Sequence, residues 1–189
     1  MRRWPIILGA ALAIGALSAV AAVQYAPPRE ARPSHWQEIA RWQEIAWPFP
    51  RDGWPAGRAF RCEAASCGVE VELYVRPKIG FCNCDSGVAD DDEVDRVADL
   101  DLISQRFAPL QPGKAVHLAG MSGRLRSYDL AMPDGARHAA VGIAVSHRCD
   151  LLVAVAQGTG AASELQRVAL EFLASHEMKH WMMAALGGH

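Results

Sequence analysis

The chain has almost no surplus of charge: 19 lysines and arginines against 21 aspartates and glutamates leave a net charge of -2 at pH 7. Without a basic excess there is no electrostatic footprint for a phosphate backbone, so nucleic acid is excluded as an expected partner. No G-x-x-x-x-G-K-[ST], G-x-G-x-x-G or G-x-S-x-G pattern occurs. A phosphate-cradling loop and a serine nucleophile elbow are therefore missing. The cysteines include no C-x-x-C, which removes the thioredoxin-type dithiol. No acidic residue follows Glu177, an absence that limits the one metal-binding motif the chain contains.

What is present begins at the N-terminus. Met1-Arg2-Arg3-Trp4 precedes an uncharged, Ala/Leu/Ile-rich run from Ile6 to Val23, followed by Gln24-Tyr25. Two arginines ahead of an apolar run hold the N-terminus in the cytoplasm and send the following chain across the membrane. Trp4 and Tyr25 stand about 31 Å apart on a helix, matching the aromatic belts that flank a bilayer core. Ala19-Val20-Ala21 also offers an A-x-A cleavage site. Residues 1–25 are thus expected to be an uncleaved signal-anchor, with a cleaved signal peptide as the alternative. The remainder is expected in the periplasm or otherwise outside the cytoplasm, held to the inner membrane by one span or released after cleavage. In an oxidising compartment Cys62, Cys67, Cys82, Cys84 and Cys149 are expected to form structural disulfides with one left over. Spacing leaves their connectivity open.

Residues 26–34, APPREARPS, read as an extended Pro-rich spacer. Residues 35–189 follow as one domain, and a chain 51% hydrophobic can supply it with a core. Trp36-Gln-Glu-Ile-Ala-Arg is repeated as Trp42-Gln-Glu-Ile-Ala-Trp, and Ser34 with Gln37 makes a capping-box pattern for a short helix there. Residues 47–57, WPFPRDGWPAG, can only be loop. Val69, Val71, Leu73 and Val75 alternate with Glu70, Glu72, Tyr74 and Arg76, which predicts a strand with one buried and one wet face, ended by Pro77 and Gly80. A helix is expected from Asp90 to Phe107, with acidic residues in its first turn.

Strands are then expected over 115–119, 124–130, 138–145 and 150–156, the last apolar on both faces and hence central. Pro133-Asp134-Gly135 reads as a turn. Ser163-Glu164-Leu165-Gln166 is a second capping-box pattern, opening one long helix to Leu186 whose apolar face includes Leu165, Phe172 and His176. Short turns between successive strands favour antiparallel pairing. The expected class is α+β, a single antiparallel sheet packed by a long C-terminal helix and preceded by the membrane anchor or signal segment.

Three constellations could carry chemistry. His176-Glu177-Met178-Lys179-His180 is H-E-x-x-H, two histidines on one helical face with a glutamate placed to act as general base on a metal-bound water. Over these five residues it resembles the zincin metallopeptidase signature, which implies zinc on His176 and His180 and catalysis by Glu177. Lys179 puts a cation inside the motif, and Met183 and Leu186 stand where the metzincin extension needs glycine and a third histidine. A third ligand would have to come from upstream or from His189. The alternative places His176, Lys179 and His180 in the last turns of a helix, where cations are favoured.

The second constellation is Cys82-Asn83-Cys84, two side chains on one side of an extended chain that could hold a soft metal such as Cu(I), with Met121 or a histidine completing the site, or act as a thiol-redox pair. The third is Asp85 with Asp90-Asp91-Asp92-Glu93 and Asp95, Asp99 and Asp101. These could bind calcium or cap a helix, although EF-hand spacing is absent.

The function read from these features is a non-catalytic, disulfide-stabilised accessory or interaction protein outside the cytoplasm. It would need no cofactor and would contact another envelope protein through Trp36, Trp42, Trp47 and Trp54. A zinc-dependent hydrolase is the alternative, and a thiol-redox or copper-handling protein a further one.

Overall fold

The computed structural model describes residues 41–50, 52–80, 84 and 86–187. The expected membrane segment at residues 4–25, the Pro-rich spacer, the helix opening at Ser34 with Trp36, and Cys82 and His189 lie outside them. In chain order the elements are β1 (Gln43–Ile45), β2 (Arg58–Cys62), α1 (Ala64–Cys67), β3 (Val71–Lys78), α2 (Asp91–Val97) and α3 (Leu100–Ile103). There follow β4 (Phe107–Pro109), β5 (Lys114–Leu118), β6 (Met121–Ala131), β7 (Arg137–His147), β8 (Asp150–Gly158), α4 (Ala162–Leu173) and α5 (His176–Gly187). Among these described helices none is long and apolar enough to cross a membrane.

Eight strands make one antiparallel sheet in the order β1-β2-β3-β8-β7-β6-β4, with β5 also on β6. Phe107 pairs with Leu130 and Lys114 with Leu125, so β4 and β5 share one edge end to end. The α+β class and the antiparallel sheet expected from the sequence are present. β8 is central, as its two apolar faces require. The β6–β7 turn is closed by Met132, whose N–H donates to the Ala136 carbonyl at 2.9 Å, with Gly135 at φ 88°.

Each face of the sheet has its own core. Val71, Leu73, Val75, Ile143 and Ala154 pack against Leu165, Phe172, Met178 and Met182 of α4 and α5. On the other face Tyr128, Ala140, Leu151, Val153 and Val155 meet Val94, Val97 and Leu100 of α2 and α3. That approach is close: a Cβ on Gly142 would lie 2.9 Å from the Ala98 Cβ and 3.1 Å from the Tyr128 ring. Glycine at 142 therefore lets the end of α2 sit on the sheet.

Five local expectations are corrected. Residues 43–45 are strand rather than helix, because Glu44 pairs with Phe60 and Trp42 stacks on Phe172 at 4.6 Å. Here tertiary pairing overrides the local pattern of the repeat. Pro77 does not end β3; it pairs with Leu152 beyond the last β2 pair, Arg58 with Val75, where the strand has one neighbour only and proline is tolerated. The expected 90–107 helix divides at Asp99, whose backbone is left-handed at φ 59°.

The long C-terminal helix also divides in two. α4 starts at Ala162, with the Glu164 carboxylate accepting from the Ala161 N–H at 3.3 Å, rather than at a box built on Ser163. It stops at Ala174, and Ser175 starts α5 by accepting the Met178 N–H on its hydroxyl at 3.3 Å, an N-cap in mid-sequence. The break turns α5 relative to the face of α4, so His176 is exposed while Met178, Met182 and Leu186 are buried.

The face of β3 expected to be wet is covered. Arg76 and Lys78 are 3% and 5% exposed. Asp52 in the 47–57 loop accepts from the Arg76 Nη1 and Nη2 at 2.9 and 2.8 Å. Asp99 accepts from Arg76 Nε at 2.6 Å and from Lys78 Nζ at 2.6 Å. Burial disfavours the Arg76 charge, but Asp99 and Asp52 outweigh it and raise its pKa further. Lys78 also donates to the Val97 carbonyl at 2.9 Å, satisfying the C-terminal end of α2. Two buried cations thus fasten the loop and the α2–α3 joint to the sheet. Asp99→Asn, which tolerates the left-handed backbone but removes the charge, is expected to cost about 3 kcal/mol, since it leaves buried cations undercompensated. A urea midpoint equal to that of the parent would contradict this.

Candidate functional site

A cleft of about 260 Å³ opens where β3, β7 and β8 end together, lined by Glu70, Glu72, His138, Gln157, Gly158 and Thr159. Strand register assembles it. Glu72 is paired with Gln157 and Ala140 with Gln157, which brings His138 two residues along β7 onto the same face.

Glu72 sits at the centre of a polar chain. Its carboxylate accepts from the Tyr74 hydroxyl at 2.5 Å, from the Gln157 amide at 2.9 Å and from Arg61, including Nε at 3.0 Å. Burial alone would raise the Glu72 pKa, but Tyr74 and Arg61 prevail and hold it below the usual carboxylate range. Burial, and then the Glu72 carboxylate, push the Tyr74 phenol upward. An ionised carboxylate only accepts, so Gln157 must turn its NH2 toward Glu72. Its carbonyl oxygen then faces His138 Nδ1 at 2.6 Å. That oxygen also only accepts, so Nδ1 carries the proton, and in the neutral ring Nε2 is left as a bare acceptor. Glu72 thereby sets the tautomer of a histidine it does not touch.

The H-E-x-x-H residues are placed differently from expectation. His176 and His180 are exposed, at the first and second turns of α5 rather than in the last turns of a long helix. The Glu177 carboxylate lies 3.8 Å from Arg58 Nη2, and Arg58 in turn sits over the Phe60 and Trp181 rings. No group of three or more His, Cys, Asp or Glu side chains is placed to hold a metal ion among the described residues.

The cysteines pair as Cys62–Cys67 and Cys84–Cys149. Cys84 is therefore bridged to the β7–β8 turn instead of pairing with Cys82 around a copper ion, and Met121 is buried in the core facing α4 and α5. Of the acidic run, Asp85 lies outside the described residues and Asp92 and Asp101 are exposed, while Asp90, Asp91, Asp95 and Asp99 are engaged within the domain. Asp90 caps α2 by accepting the Glu93 N–H at 2.9 Å. Asp91 accepts from the Gly113 N–H and Arg124 Nε, both at 2.9 Å, and the two hold its carboxyl below the usual range. Asp95 accepts from Arg126 and the Tyr128 hydroxyl at 2.7 and 2.6 Å. These carboxylates dock a helix on a sheet and are not arranged around a cation.

The described tryptophans are half-buried. Trp42 lies on Phe172, Trp47 edges onto Phe49 and Tyr74, and Trp54 lies 6.0 Å from Lys78 Nζ.

Neither spacing nor motif singles out the cleft residues. One signal could have found them: Gln157 is the only side chain with hydrogen-bonding groups between Leu151 and Gln157, and an amide at the end of an otherwise apolar central strand needs partners.

No family model matches the chain, and no curated protein sequence does. The chain is similar to the solved structure of a protein of unknown function, PA94, from Pseudomonas aeruginosa, at 14% identity, covering 77% of this chain and 80% of that one with a TM-score of 0.33. A likeness this distant carries no argument about role.

Long-range proton–nitrogen NMR in alkaline buffer tests the polar chain directly. His138 is expected to carry its proton on Nδ1 in the parent and to lose that preference in Gln157→Met. A proton on Nε2 in the parent would contradict the chain.

Proposed function

We propose that the protein is a non-catalytic recognition module, disulfide-braced, tethered to or exported across the inner membrane, and in contact with another envelope protein. The observation that carries this reading is the pairing of four of the five cysteines into two bridges within one domain. Such bridges persist in oxidising compartments, and an arginine pair ahead of the apolar 6–23 run supports export of the residues C-terminal to it. The bridge closing the longer loop joins residues separated by 65 positions, the kind that restricts the unfolded chain most.

A non-catalytic role fits the surroundings of the motif residues. Glu177 faces a guanidinium, and His176 and His180 stand on an exposed surface without a third ligand among the described residues. Trp42, Trp47 and Trp54 are half-buried and stay candidates for the partner contact, and the acceptor-lined cleft adds a second candidate surface.

Two measurements test this together. Mass spectrometry of protein alkylated in cells without reductant is expected to recover Cys62 joined to Cys67 and Cys84 joined to Cys149; four alkylated thiols at these positions would overturn the extracytoplasmic reading. Metal analysis is expected to give the same zinc content for the parent and His176→Ala. Stoichiometric zinc lost in the variant would replace the module with the hydrolase.

A further inference from the structure

We infer that the cleft between Glu70 and His138 is a binding site for a primary ammonium group. The proposal rests on reading the domain as a recognition module and names the chemistry its cleft would take.

Most of the polar groups around the cleft are already engaged. Glu72 is held by Arg61, Tyr74 and Gln157, so it organises the cleft without facing a ligand. Both ends of the Gln157 amide are taken, one by Glu72 and one by His138. Three groups are left. Glu70 is exposed, and no hydrogen bond among the described residues engages its carboxylate. His138 keeps the lone pair of Nε2, and exposed Thr159 contributes a hydroxyl that can accept.

All three accept hydrogen bonds, and no lysine or arginine lines the cleft among the described residues. Arg61, whose pKa is raised by Glu72 first and by Glu70 less, stands on β2 outside the lining. A ligand that complements such a site offers several donors, no acceptor and one positive charge, which describes an ammonium group. A carboxylate or phosphate would meet Glu70 as a like charge and find only the Thr159 hydroxyl, among the three free groups, able to donate to it. A metal ion would have His138 and Glu70 only, short of the three-ligand group a stable site requires. At about 260 Å³ the space is just below that of drug-sized pockets and suits one side chain or small amine. The ammonium could belong to a free amine or to a lysine on a partner chain, and two probes separate these sources.

The experiment titrates the folded protein with n-butylammonium chloride and follows backbone amide shifts. Saturable shifts are expected at Glu70, His138, Gly158 and Thr159, with none from sodium butyrate. Glu70→Gln, an exposed substitution that leaves the core untouched, is expected to weaken binding about tenfold, the loss of one charge-assisted contact. Gln157→Met is expected to weaken it as well, by releasing the His138 tautomer. Nα-acetyl-lysine amide binding as well as or more tightly than butylammonium points to a lysine side chain, and weaker binding to a free amine. Either supports the site. Absence of saturable shifts, an equal response to butyrate, zinc ion eliciting the shifts when amines do not, or an unchanged affinity in Glu70→Gln would overturn it. Those failures leave the disulfide result untouched, so the site and the module can fall separately.

Discussion

The polar side chains that alternate along β3 are enclosed by the fold, and most of the architecture on that side of the sheet follows from the need to satisfy them. Glu72, Tyr74, Arg76 and Lys78 share one face; Glu72, Arg76 and Lys78 each find a partner on another element, and Tyr74 donates its hydroxyl to Glu72 along the strand. No buried side-chain nitrogen or oxygen among the described residues lacks a hydrogen-bond partner. Unpaired charges at such depth would cost several kcal/mol each, of the same order as the stability of a whole domain. The Pro-rich 47–57 loop therefore has to supply Asp52, and the α2–α3 joint has to turn left-handed at Asp99 to present a carboxylate to two cations. At the other end of the strand the same demand recruits Gln157 and, through it, His138.

Much of the scaffold is legible in the sequence because it depends on local pattern. Two apolar faces put the 150–156 segment at the centre of the sheet, and Pro133-Asp134-Gly135 marks a turn. The pairing of cysteines is illegible for the opposite reason: Cys84 and Cys149 are 65 positions apart, and the β7–β8 turn brings them together. β2 escapes pattern reading because Arg58 and Arg61 interrupt its apolar residues, and each is neutralised by a carboxylate on a neighbouring strand, Glu44 and Glu72. Alternation along β3 is visible in the residues themselves. It does not reveal that the polar face is covered, since the cover comes from Asp52 and Asp99, more than 20 residues away on either side.

The two helix breaks teach a related point about motifs. Spacing places His176 and Glu177 within one continuous amphipathic helix, where H-E-x-x-H has its meaning. Ser175 caps a new helix instead, and the two residues after it face solvent and Arg58. A motif is a statement about geometry, and one serine changes the geometry. The cleft is the converse case, a constellation without a motif. Glu72 and Gln157 are 85 positions apart and Gln157 and His138 are 19 apart, so only the strand register brings them together.

The central claim is that the Glu72 end of the β3 polar line is a connected network reaching through Gln157 to His138 in the cleft. Glu72 and His138 do not touch, so a double-mutant cycle between Glu72→Gln and His138→Phe, read by urea unfolding, tests it most directly. The account predicts that the two losses fail to add by at least about 0.5 kcal/mol, because both act through Gln157. Strict additivity would mean that the carboxylate and the imidazole are independent and that the network ends at the amide.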